Sequence, residues 1–122
     1  MITAVHGLIY SRQAEAVRAF LRDTLGWDHV DSGGGWLIFA LPPAELGVHP
    51  TDGEPFTELY LMCDDIEATV AKLTGKGVEF TESVTDRGFG LVTRLKIADG
   101  ETIGLYEPKH PIAAGKGSGS AN

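Results

Sequence analysis

The 122-residue chain has one cysteine, Cys63. A single thiol excludes an internal disulfide and any CxxC zinc or redox motif. Basic residues are also scarce, with 10 Lys+Arg against 17 Asp+Glu and a formal charge of −7. Binding to nucleic-acid phosphates needs clustered Lys and Arg, so that balance argues against it. It argues equally against docking on anionic lipid. No apolar run approaches the length of a membrane span. Met1 is not followed by the basic stretch and apolar core of a secretory signal. A GxSxG nucleophile elbow is absent, as is a Gly-rich phosphate loop between strand and helix. The expectation is a cytoplasmic protein with no nucleic-acid or membrane partner.

What is present is an ordinary globular composition, 43% hydrophobic and 22% charged. The length suits one domain with a core of its own. Sixteen glycines and six prolines break the chain into short elements. Residues 112–122, IAAGKGSGSAN, are small and Gly/Ser-rich, and are expected to form a flexible tail. Residues 1–111 are then a single domain.

That domain divides into two similar halves, a first module over 1–51 and a second over 56–109. The first runs VHGLIYS, AEAVRAFLRDTLGW, GGWLIFAL and AELGVHP. The second runs TELYLMCDD, IEATVAKLTGKGVEF, GLVTRLKIADG and TIGLYEP. His6 pairs with Glu58, Ala14 with Ile66, and Leu21 with Leu73, each 52 positions apart. LGVHP matches GLYEP in type, which pairs His49 with Glu107. Apolar residues at three- and four-residue steps (Ala14, Val17, Leu21, Leu25 and then Ile66, Val70, Leu73) predict an amphipathic helix in each half. Asp64 and Asp65 are cap candidates for the second helix. Gly26, Gly75 and Gly77 are stop signals. Gly33–Gly35 and Asp99–Gly100 read as hairpin turns. The predicted class is α+β, with βαβββ written twice.

Four residues stand out by their place in the repeat. His6 and Glu58 open the first strand of each half, and His49 and Glu107 sit near the end of the last. A pseudo-twofold would bring two imidazoles and two carboxylates around one point. That donor set suits a borderline divalent ion, and two Glu would balance its charge. Strand alternation would place Tyr10, Tyr60 and Met62 on the same side as the donors, with Trp36 or Phe39 completing an apolar substrate pocket. His29 and His110 have no repeat partner and read as surface residues. Cys63 reads as a small core residue.

The segments VHGLIYS, RAFLRDTLGW, ELYLMCDDIEATVAKL, GVEF and KIADGETIGLYEP, covering 2–109, together resemble the vicinal oxygen chelate superfamily. That group includes glyoxalase I, bleomycin-resistance proteins and extradiol dioxygenases. The resemblance implies a curved, barrel-like mixed sheet built from both modules, with helices outside, and a homodimer. It implies a metal set of His6, His49, Glu58 and Glu107, holding Ni, Co, Zn, Mn or Fe. The metal would act as a Lewis acid on a small oxygenated metabolite, with Glu58 or Glu107 as catalytic base. The chain orders its donors His, His, Glu, Glu, where glyoxalase I alternates His and Glu. Bleomycin-resistance proteins imply the alternative function: sequestering a small, flat, cationic molecule without metal.

Overall fold

In a computed structural model, residue 1 and residues 3–115 are described. The second module takes the predicted βαβββ order, but its first strand after the helix is the pair Thr85–Asp86, in a stretch expected to be loop, while Phe80 of GVEF makes only an isolated bridge to Leu95. Strand β3 (Tyr60–Met62) leads to helix α2 (Ile66–Gly75), and β4 (Thr85–Asp86), β5 (Gly90–Ala98) and β6 (Glu101–Pro108) complete a four-stranded sheet. The strand order is β3-β6-β5-β4, with β3 parallel to β6 and the other neighbours antiparallel. The β5–β6 hairpin turns at Asp99–Gly100, where Gly100 supplies a φ of +73° that costs other residues strain.

Helix α2 begins where Asp65 Oδ1 accepts the Ala68 N–H at 3.1 Å. It ends in a Schellman motif. Val78 N–H donates to Leu73 O and Gly77 N–H to Thr74 O, both at 3.0 Å, with Gly77 at φ +90°. Ile66 and Leu73 face inward and are buried.

The first module is less complete. Helix α1 (Ala14–Ala19) continues as a π-helical turn, Phe20–Thr24, and the chain reverses at Gly26 with φ +70°. The hairpin of β1 (His29–Asp31) and β2 (Leu37–Phe39) turns through Gly33–Gly35, all three at positive φ. The two strands expected in VHGLIYS (5–11) and AELGVHP (44–50) do not form. These segments have no regular structure and are almost wholly exposed, Val5 and Val48 among them. A strand exists only when its N–H and C=O groups meet a partner edge, and here no edge lies against these residues. The two sheets therefore do not close into a barrel, although the α+β class holds.

The core lies between the helices and one face of the large sheet. Val17 and Ile66 pack with Leu95, Ile97, Ile103 and Leu105, and Phe20, Leu21, Leu25 and Cys63 border them. Buried Thr93 is satisfied through Oγ1 donating to Glu82 O at 2.7 Å. Gln13 Nε2 donates to Asp99 O and Glu101 Oε2, which pins the start of α1 to the β5–β6 turn. No described helix is long and apolar enough to cross a membrane. Of the expected tail, residues 116–122 lie outside the described residues. Ala113 and Ala114 instead donate their N–H groups to Glu45.

Candidate functional site

Strand register divides the large sheet into two chemically different faces. Across β5 and β6, Leu91 stands opposite Glu107, Thr93 opposite Leu105 and Leu95 opposite Ile103. These residues face the helices. Val92 opposite Tyr106, Arg94 opposite Gly104 and Lys96 opposite Thr102 face away. Tyr60 registers with Gly104 and Met62 with Tyr106, so β3 adds both to the outward face. That placement of Tyr60 and Met62 on one side matches the sequence expectation.

The outward face carries an aromatic group. Tyr60 and Tyr106 meet edge to face at 5.6 Å, and Phe89 meets Tyr106 edge to face at 5.7 Å. Edge-to-face pairs of this kind are favoured by the ring quadrupoles. Two glycines let the rings lie close to the backbone. A Cβ at Gly104 would overlap the Tyr60 ring. A Cβ at Gly90 would stand 2.6 Å from Glu107 O and 2.9 Å from the Tyr106 ring. Glycine inside a strand marks such a close approach. Phe89, Gly90 and Gly104 were not singled out from the sequence, although glycines inside GFGLVT and TIGLYE carried that signal.

Polar groups frame the rings. Burial pushes the Tyr60 hydroxyl above the usual phenol range, and the neighbouring Glu58 charge adds to it. Burial acts likewise on Tyr106, followed by Glu45. Tyr106 Oη lies 3.1 Å from His110 Nε2, and the two rings are 5.9 Å apart. His110, expected at the surface, is therefore engaged. Arg94 Nε donates to Thr102 Oγ1 at 3.1 Å on the same face.

The four expected metal donors do not gather into one group. His6 and His49 are exposed on segments without regular structure, and Glu58 is exposed just before β3. Glu107 faces the helices, where its Oε1 accepts the Ile66 N–H at 3.0 Å and so completes the start of α2. Among the described residues, no group of three or more His, Cys, Asp or Glu could hold a metal ion. The donors as placed in one chain do not fit a single divalent ion. Matching LGVHP to GLYEP by type ignored parity, and parity turns Tyr106 rather than Glu107 toward the rings.

The remaining substrate candidates also fall elsewhere. Tyr10 is almost fully exposed on the N-terminal segment. Trp36 lies beneath the Arg18 guanidinium of α1, 5.4 Å from its ring centre, and so belongs to the helix side. Phe39 packs on His29 at 5.4 Å. Cys63 borders the core as expected, and burial pushes its thiol pKa up.

A family model described as the Glyoxalase/Bleomycin resistance protein/Dioxygenase superfamily matches residues 3–105. Among solved structures, the chain is similar to TnmS3, an antibiotic binding protein from Streptomyces sp. CB03234. Identity is 25% and the TM-score 0.61, covering 89% of this chain and 99% of that one. It is similar to a member of the same superfamily from Sphaerobacter thermophilus DSM 20745, with 26% identity and a TM-score of 0.58, over 87% and 98% of the two chains. A glyoxalase/bleomycin resistance protein from Streptomyces sp. CB03234 gives 26% identity and a TM-score of 0.51, over 77% and 90%. No curated protein sequence matches the chain.

Proposed function

The chain belongs to the Glyoxalase/Bleomycin resistance protein/Dioxygenase superfamily, and from that premise we propose that it is a binding protein for a flat aromatic small molecule. The observation that carries this reading is the outward face of the large sheet. Tyr60, Tyr106 and Phe89 are grouped there over two glycines, with no carboxylate of β6 pointing the same way. Such rings offer stacking area at low entropic cost, because each side chain has only two torsions to fix. Glu58 beside Tyr60 and the overall acidic charge favour a ligand carrying positive charge. The likeness to an antibiotic binding protein supports the same reading. The test is calorimetric titration with a panel of planar cationic antibiotics. Binding should weaken about 3- to 10-fold in Tyr60→Ala and in Tyr106→Ala, in line with the ~0.5–1.5 kcal/mol of an aromatic contact. A panel without any binder at high micromolar concentration, or binding indifferent to both substitutions, would count against the proposal.

The exposed segments 3–10 and 44–50 support a homodimer, because their apolar residues lack a partner in one chain. A second copy would supply the missing strand edge. The mass of the protein in solution, measured by light scattering, decides this. A monomer at micromolar concentration would end it. A second functional reading has one support here, Glu58 beside Tyr60. In it, His6 and His49 of a paired copy join Glu58 to hold Ni, Co, Zn, Mn or Fe, the ion serving as Lewis acid for an oxygenated metabolite, while Glu107 stays at the start of α2. Elemental analysis of protein purified without chelator tests it, and absence of both bound and acquired metal would dismiss it.

A further inference from the structure

We propose that residues Lys109–Gly115 form a strap that closes over the Tyr106 end of the aromatic face, and that Glu45 is its latch. The proposal rests on the reading of that face as the ligand site. Three observations converge on it. The strap has a fixed end, since Lys109 N–H donates to Phe89 O at 2.8 Å and Lys109 Nζ pairs with Asp86 at 2.6 Å. It has a plug, the His110 imidazole, which lies against the Tyr106 ring where a flat ligand would stack. It has a distant catch, Glu45, whose Oε1 accepts the N–H groups of both Ala113 at 2.8 Å and Ala114 at 3.0 Å.

Glu45 is unusual in its surroundings. Throughout residues 40–59 every other residue is exposed, including Leu46 and Val48, whereas the Glu45 side chain keeps only 16% of its surface. An acidic side chain is the best-covered residue of a segment that leaves its apolar residues in water. Its partners explain the inversion, because two successive N–H groups form a small anion-binding nest. His110 Nε2, 3.8 Å from Glu45 Oε2, adds a further attraction when the ring is charged. The plug is oriented as well. Nδ1 lies 2.8 Å from Pro111 O and so carries the proton, which leaves Nε2 of the neutral ring to accept from Tyr106 Oη.

A strap with one fixed end, one charged catch and a ring in between can open without disturbing the core. The catch sits on an irregular segment, and none of its bonds reaches the residues packed around Leu95. Ligand entry would then require the Glu45 bonds to break and His110 to leave Tyr106.

The experiment is hydroxyl-radical footprinting read by mass spectrometry, which needs no ligand and so stands apart from the binding assay. In the unaltered chain Tyr106 should oxidise slowly and exposed Tyr10 quickly. Glu45→Ala removes the catch, and Ala113→Pro removes one donor while keeping Glu45. Each should raise Tyr106 oxidation about threefold or more, leave Tyr10 unchanged and keep the circular dichroism of the folded chain. An unchanged Tyr106 rate in both folded variants would overturn the proposal. Global unfolding of both would overturn it too, since the segment would then be a structural brace.

Discussion

Replacing Gly104 by alanine tests whether the Tyr60 ring rests on the backbone of β6. The added methyl would overlap the ring, so either β6 moves or Tyr60 swings outward. Overpacking of this kind costs about 1–3 kcal/mol. Displacing the ring also loses its edge-to-face contact with Tyr106, worth ~0.5–1.5 kcal/mol. Alanine recovers roughly 0.5–1 kcal/mol of backbone entropy in the unfolded chain. The net expectation is a loss of about 0.5–4 kcal/mol, read from urea unfolding. The sharper form is a double-mutant cycle. With Tyr60→Ala in place the three atoms nearest the methyl are gone, so the cost of Gly104→Ala should fall by at least ~1 kcal/mol. An equal cost in both backgrounds would refute the argument, because the penalty would then have nothing to do with the ring.

Other outcomes follow from single contacts. Glu107→Ala should destabilise by about 0.5–2 kcal/mol, as loss of a capping acceptor does, and hydrogen exchange at Ile66 should quicken; unchanged exchange would mean that the bond to its N–H is not formed in solution. Asp65→Ala should cost a similar ~0.5–2 kcal/mol in urea unfolding through the loss of the Ala68 bond. The Ala113 and Ala114 N–H groups hold the Glu45 carboxyl below its ordinary value of 4.5, so its contribution is present above that pH and fades as pH falls through the lower folded value. Nuclear magnetic resonance should therefore show both amides shifting together below pH 4.5, and a transition above that value would contradict the assignment. Cys63, with its thiol pKa raised by burial, should react with a disulfide reagent at pH 8 much more slowly than it does in denaturant.

The second module was legible because its signals are local. Asp65, the Ile66–Leu73 periodicity, Gly77 and Asp99–Gly100 each act over a few residues, and each sits where it was expected. The first module was read one level too far. VHGLIYS has the composition of a strand, but composition does not provide an edge to pair with. Within the candidate site, the side of the sheet each β3 residue takes was legible for the same reason. Alternation correctly put Tyr60 and Met62 together, since it is a property of one strand. Glu107 went astray because matching two motifs in type does not fix which side of the sheet a residue takes. Glu45 and His110 could not have been found this way, because their meeting depends on the path of the chain after Pro108.

The parallel pairing of β3 with β6 also makes β3 the most non-local strand of the large sheet. Strands β5 and β6 are joined by a two-residue turn and can zip together early, whereas β3 must wait for α2, β4, β5 and β6 before its neighbour exists. Strand β3 is also short, pairs on one side only and forms the edge of the sheet. An edge element held by few bonds is among those that detach in a partial opening. Since Tyr60 rides on it, the aromatic face depends on a short edge strand held from one side. The affinity measured for any ligand there will therefore include the free energy of keeping β3 in place, and a substitution that loosens β3 will weaken binding without touching the ligand.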